Sequence, residues 1–106
     1  MDITDLQRNP LAEFEKWFEL AVKSGEKHPD AMTLATCTRR SVPSARVVLY
    51  KGLLRGCFRI FTNLESRKAR ELAANPRAAL AFHWKTIDRQ VRIEGRVVRM
   101  PRREVE

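Results

Sequence analysis

The stretch from Arg46 to Lys68 offers one site two arginines, Arg46 and Arg67, two lysines, Lys51 and Lys68, and two hydroxyls, Thr62 and Ser66. Arg46 and Lys51 bracket the apolar run RVVLYK, and Thr62, Ser66, Arg67 and Lys68 follow in FTNLESRK. Such a set is suited to gripping one small anion, and the first expectation is a phosphate-bearing ligand. Ser66 can cap a helix whose first turn carries Arg67 and Lys68, so free backbone N–H groups, a hydroxyl and two cations meet there. Arginine grips two phosphate oxygens in its planar fork, while lysine acts as a mobile point charge. Cations at a helix N-terminus oppose the dipole, so the arrangement calls for a bound anion. A solvated basic first turn is the competing explanation of the same residues.

Arg46 and Lys51 lie five positions apart. A regular strand therefore sends them to opposite faces, and only a bulge or a strong twist aims both at one ligand. The alternative is Arg46 on the phosphate with Lys51 reaching round the end of the sheet to a second anionic group. Gln90 stands between Arg89 and Val91. Its amide both donates and accepts, which suits the edge of a heteroaromatic ring and equally suits a surface in water.

The elements that must position these groups follow from periodicity. Asn9-Pro10 supplies a cap and a first-turn proline, and Leu11, Phe14, Trp17, Phe18, Ala21 and Val22 then recur at helical spacing as far as Ser24-Gly25. Trp17 and Phe18 are expected in the core, closing one side of a sheet. From Ala31 to Cys37 the pattern changes to a first strand, and Thr38–Ser41 is a polar hairpin connection into a second strand from Pro43 to Lys51. Gly52 to Gly56 read as the next turn and Cys57 to Phe61 as a third strand, giving an antiparallel meander. A short helix capped by Ser66 stops at Asn75-Pro76, a fourth strand runs from Ala78 to Trp84 and a fifth from Gln90 to Met100. The expected fold class is mainly β with helices: one barrel-like antiparallel domain over residues 1–106, with 1–8 flexible. Five strands and one covering helix leave a sheet edge open.

A 106-residue chain makes one small domain with a modest core, so a dimer is expected. Residues 1–30 hold four Lys/Arg against seven Asp/Glu, a net −3, and residues 31–106 hold seventeen against six, a net +11. An anionic partner should therefore meet the sheet side. Cys37 and Cys57 form no C-x-x-C motif and read as buried thiols in a reducing compartment. With no apolar run of membrane-spanning length and a polar start, MDITDLQRNP, the expected location is the cytoplasm and no membrane partner is expected.

The blocks RVVLYK, FTNLESRKARELAANPRAALAFHW and RQVRIEG resemble the pyridoxamine 5′-phosphate oxidase family, flavoproteins of the FMN-binding split-barrel class. PLAEFEKWFELA and AMTLAT resemble it too, so the likeness runs from about Asn9 to Arg99. It implies an FMN-binding split barrel, incomplete at the C-terminus, that works as a homodimer with FMN at the interface. It implies oxidation of pyridoxamine or pyridoxine 5′-phosphate to pyridoxal 5′-phosphate, with oxygen as acceptor. By resemblance Arg46, Arg67 and Lys68 hold the FMN phosphate region, and Val47, Val48 and Leu49 line the flavin with their backbone. Phe61 and Thr62 are further flavin contacts, Phe61 standing where tyrosine is common. Gln90 touches the flavin, and Lys51 serves both flavin and substrate phosphate. No catalytic nucleophile is implied, because the chemistry belongs to the cofactor. Full members continue for roughly as long again, and the tyrosine, arginine and serine of the substrate-phosphate site fall in that further part. The chain alone is therefore expected to bind FMN with little or no oxidase activity.

Other classes fit less well. A flavin-binding split barrel of another substrate class, such as the phenazine-biosynthesis type, would use the same phosphate residues. A nucleic-acid-binding barrel would explain the basic segment, with Phe58, Phe61 and Trp84 as stacking residues, yet the arginines are spread over every element. His28, His83, Cys37 and Cys57 lack metal-ligand spacing, and His83 reads as a packing or locally hydrogen-bonded residue.

Overall fold

The computed structural model describes residues 10–60 and 66–98. Helix α1 spans Pro10–Lys23. Strands β1 (Ala31–Cys37), β2 (Pro43–Leu49), β3 (Leu53–Leu54) and β4 (Cys57–Phe58) follow. Helix α2 spans Arg67–Ala74, and β5 (Arg77–Trp84), a 3-10 turn (Lys85–Ile87) and β6 (Arg89–Arg96) complete the described elements. Asn9, Phe61, Thr62 and Met100 lie outside the described residues, as do the segments 1–8 and 99–106.

Four strands form one antiparallel sheet in the order β2-β1-β5-β6. β1 is central although it comes first, because it pairs with β2 along its whole length and with β5 through Thr33, Leu34 and Ala35. β2 and β6 are its edges among the described residues, and the sheet there is open. Period-two alternation divides it into two faces. Arg46, Leu34, Leu80 and Ile93 stand in one row on the face toward the helices, while Val47, Thr33, Ala81 and Arg92 stand in a row on the other.

The core lies under α1. Phe14 is buried at its centre, with ring centroids of Phe58, Phe82, Tyr50 and Trp84 between 4.9 and 5.9 Å away. Trp17 and Phe18 are half-buried against this cluster, as the helical spacing predicts, and the Trp17 ring also carries the Arg89 guanidinium at 4.6 Å. Val22 departs from the expected stripe and is exposed. At about 100° per residue it stands roughly 80° round the helix from Phe14, outside the arc that faces the sheet.

The meander fails after its second strand. The expected third strand, Cys57 to Phe61, is in its described part only Cys57–Phe58, and it pairs with Leu53–Leu54 inside the segment read as a turn. Arg55 and Gly56, at φ 53° and 77°, make the two-residue connection with both residues left-handed that twists a hairpin correctly. Cys57 consequently faces solvent while Phe58 enters the core, so this thiol is exposed and only Cys37 is half-buried. The fifth strand ends at Arg96, where Val97 N–H instead donates to the Pro76 carbonyl at 2.7 Å. Phe58 and Trp84 belong to the core, which removes both as base-stacking residues. His83 is exposed opposite Gln90 rather than packed. No described helix is long and apolar enough to cross a membrane.

Candidate functional site

Polar groups on the helix-facing side of an apolar sheet need partners, and Thr36, Ser44 and Arg46 occupy three such positions. Their partner is Glu71, one turn along α2 from Arg67, with only 6% of its side chain exposed. Ser44 Oγ donates toward both carboxylate oxygens at 2.7 and 2.9 Å, and Thr36 Oγ1 donates to Oε2 at 3.3 Å. The same hydroxyl oxygens accept from Arg46: Nη1 reaches Thr36 Oγ1 at 2.8 Å and Nη2 reaches Ser44 Oγ at 2.6 Å. Nη1 also donates to the Leu34 carbonyl at 3.1 Å. The hydroxyl protons thus point to Glu71 and the lone pairs to Arg46.

Two guanidinium groups flank this carboxylate without bonding to it. Arg46 Nη2 stands 3.7 Å from Oε2, and Arg67 Nε stands 3.7 Å from Oε1. The Glu71 carboxyl is held below its ordinary value, first by the Ser44 hydrogen bond and then by Thr36, Arg67 and Arg46, against the upward push of burial. The cationic first turn of α2 therefore has an anion within the chain. Sequence reasoning missed it, although Arg67 and Glu71 at i and i+4 are a familiar helical ion pair.

α2 begins as the sequence predicts. Ser66 is its N-cap, its Oγ accepting from Ala69 N–H at 3.2 Å, and Asn75 closes the far end. Arg67 is two-thirds exposed and Lys68 half-buried in that first turn. A groove of about 600 Å³ opens between α2 and the β1–β2 loop, lined by Arg39, Arg40, Arg67, Arg70 and Glu71. Arg39 Nε donates to the Ala74 carbonyl at 3.1 Å, where the helix C-terminus favours a cation.

The remaining sequence-predicted residues are placed apart. β2 alternates regularly, so Arg46 and Val48 face the helices while Val47 and Leu49 face outward, 69% and 46% exposed. Lys51 is exposed beyond the end of β2; its N–H donates to the Arg59 carbonyl at 2.9 Å and its carbonyl accepts from Arg59 Nη2 at 2.8 Å. Gln90 is exposed on the outward face of β6, three strands from β2, roughly 14 Å at ordinary strand spacing. Phe61 and Thr62 lie outside the described residues. Within one chain the fold thus joins Arg46 to Arg67 and leaves Gln90 and Lys51 elsewhere.

The donor set fits a flavin phosphate. Arg46 and Arg67 already converge on the two oxygens of one carboxylate, an anion with the paired-oxygen geometry that guanidinium also grips in phosphate. β2 pairs only with β1 among the described residues, so alternate backbone N–H and C=O groups point outward from its free edge, as ring heteroatoms require.

The family model described as pyridoxamine 5′-phosphate oxidase matches residues 18–106. The pyridoxine/pyridoxamine 5′-phosphate oxidase of Paraburkholderia phytofirmans is 52% identical over 99 residues, 93% of this chain and 46% of that protein. Its namesake in Coxiella burnetii is 51% identical over 102 residues, 96% of this chain and 52% of that protein. Among solved structures, PhzG from Burkholderia lata 383, in complex with tetrahydrophenazine-1-carboxylic acid, superposes with a TM-score of 0.87 at 27% identity, over 90% of this chain and 47% of that one. A pyridoxamine 5′-phosphate oxidase-related, FMN binding protein from Nostoc punctiforme shares the fold at a TM-score of 0.68 and 21% identity, over 76% of this chain and 44% of that one. The chain spans about half the length of the curated relatives it matches.

Proposed function

The chain belongs to the pyridoxamine 5′-phosphate oxidase family, and on that premise we propose that it binds FMN and serves the oxidation of pyridoxamine or pyridoxine 5′-phosphate to pyridoxal 5′-phosphate with oxygen as acceptor. The observation that carries this reading is the convergence of Arg46 from β2 and Arg67 from α2 on one anionic position. Arg46, Arg67 and Lys68 hold the FMN phosphate, and the free edge of β2 at Val47, Val48 and Leu49 presents backbone groups to the ring. FMN, when bound, would supply the redox chemistry, as hydride acceptor for the carbon that bears the substrate's amine or alcohol. The protein's part is to anchor both phosphates and fix the two rings against each other, which is catalysis by orientation. Lys51 contributes a cation toward the substrate phosphate.

The working unit is a homodimer. Gln90 and the exposed Val47 and Leu49 share the outward face of the sheet. Two copies joined through that face bring Gln90 of one to the β2 edge of the other, which answers the separation within one chain. The likeness to PhzG at 27% identity favours a second reading, a flavoprotein acting on a phenazine-type substrate with the same phosphate clamp.

The test is an FMN titration followed by the flavin absorption band, with mass in solution measured alongside. A perturbed flavin spectrum on a dimer, weakened when Arg67 and Lys68 are both replaced by alanine, is the expected result. Loss of one charge-assisted contact weakens binding by about tenfold to a hundredfold. Undiminished binding by the double variant would remove the phosphate clamp. Turnover of pyridoxine 5′-phosphate against tetrahydrophenazine-1-carboxylic acid, by protein extended to the length of its relatives, separates the two substrate classes.

A further inference from the structure

We infer that Glu71, Ser44 and Thr36 form a buried positioning device that sets the direction of the Arg46 and Arg67 guanidinium groups for a phosphate ester. This rests on the FMN reading and deepens it, assigning roles to three residues that do not themselves touch the ligand.

A guanidinium on a flexible stem loses side-chain entropy when it grips an anion, and that cost falls if the group is already held. Arg46 is held on one side by three acceptors: Leu34 O, Thr36 Oγ1 and Ser44 Oγ. Arginine has no acceptor, so a hydroxyl that accepts from it must turn its own proton to another group. Glu71 supplies that commitment for both hydroxyls at once. The carboxylate takes its hydrogen bonds from the two hydroxyls and leaves the two guanidinium groups at 3.7 Å, an ion-pair distance with no hydrogen bond. Both arginines are oriented by its field without spending their N–H donors on it. A carboxylate placed to neutralise the arginines would instead take their N–H groups directly at shorter range.

Glu71 lines the groove that Arg67 also lines, so the Arg67 end of the device borders an opening a ligand can enter. Ser44 is the link to remove, because its loss changes no charge and cuts the shortest contact to Arg46.

The experiment compares the affinity of FMN with that of riboflavin, which carries the same ring without phosphate. It uses the wild-type chain, Ser44→Ala and Ser44→Thr, with urea midpoints measured in parallel. The expected result is a preference for FMN in the wild type that falls by about tenfold in Ser44→Ala, the equivalent of one charge-assisted hydrogen bond. Riboflavin affinity should stay unchanged, and Ser44→Thr, which keeps the hydroxyl, should retain the preference. General loosening of the fold would weaken both ligands alike. An FMN preference equal in wild type and Ser44→Ala overturns the positioning role and leaves the FMN reading standing. No preference in the wild type overturns the FMN reading and this inference with it. Should Ser44→Ala fail to fold, Thr36→Val removes the second hydroxyl with little change of volume, and the same selective loss is expected.

Discussion

Phe58 meets Phe14 with ring centroids 4.9 Å apart at 78°, an edge-on contact that ties the small β3–β4 hairpin to helix α1. The hairpin has only two residues in each strand, and such a ribbon is not stable alone. Its place is set by this ring and by the hydrogen bonds between Lys51, Gly52 and Arg59. Phe14→Ala should therefore do more than open a cavity. A loss of about 3–5 kcal/mol is expected from the core term, read by urea unfolding, with chemical-shift changes reaching the hairpin. A loss below about 1 kcal/mol would mean that the ring cluster is not packed as described.

Glu71 gives a pH dependence of defined sign. Its carboxyl is held below the ordinary value of 4.5, led by the Ser44 hydrogen bond. The folded state therefore binds this proton less tightly than the unfolded chain does. The resulting stability is fully present above 4.5 and is lost as the pH falls through the lower folded value. Wild type and Glu71→Gln should differ most in urea midpoint at neutral pH and converge in acid. A difference independent of pH between 7 and 3 would contradict the network.

Association is expected to use the outward face. Val47 is 69% exposed within one chain, so a lysine there costs the isolated fold little. Buried between two copies it would be expensive unless paired. Val47→Lys should keep the far-ultraviolet circular dichroism spectrum while light scattering shows a lighter species than wild type. An unchanged mass would place the contact elsewhere.

The sequence made the local elements legible where one physical signal dominated. Pro10 marked the start of α1, and Ser66 and Asn75-Pro76 bracketed α2, because caps and prolines act through near neighbours. Strands β1, β2 and β5 followed from apolar alternation and turn residues. What failed was pairing beyond the nearest hairpin. Apolar content places Cys57 to Phe61 in the meander because it does not say which strand a short segment joins, whereas the positive φ values of Arg55 and Gly56 do. At the candidate site Arg46, Arg67 and Lys68 stood out by charge and Glu71 did not. Its sign opposed the expected ligand, and its partners Ser44 and Thr36 lie 27 and 35 residues away. Polar residues at inward-facing strand positions were the available signal for them.

The sheet order β2-β1-β5-β6 also governs how the chain can be made on a ribosome. The β1–β2 hairpin can close as soon as it emerges, since its partners are neighbours in sequence. The other edge of β1 must wait for Ala79 to Ala81, synthesised some seconds later at ordinary rates of elongation. During that interval Met32, buried in the finished protein, stands on a strand with one edge unpaired, and α1, which carries Phe14 and Ala21 of the same cluster, is already made. The early placement of that aromatic-rich helix gives the nascent hairpin a cover before its permanent neighbour exists.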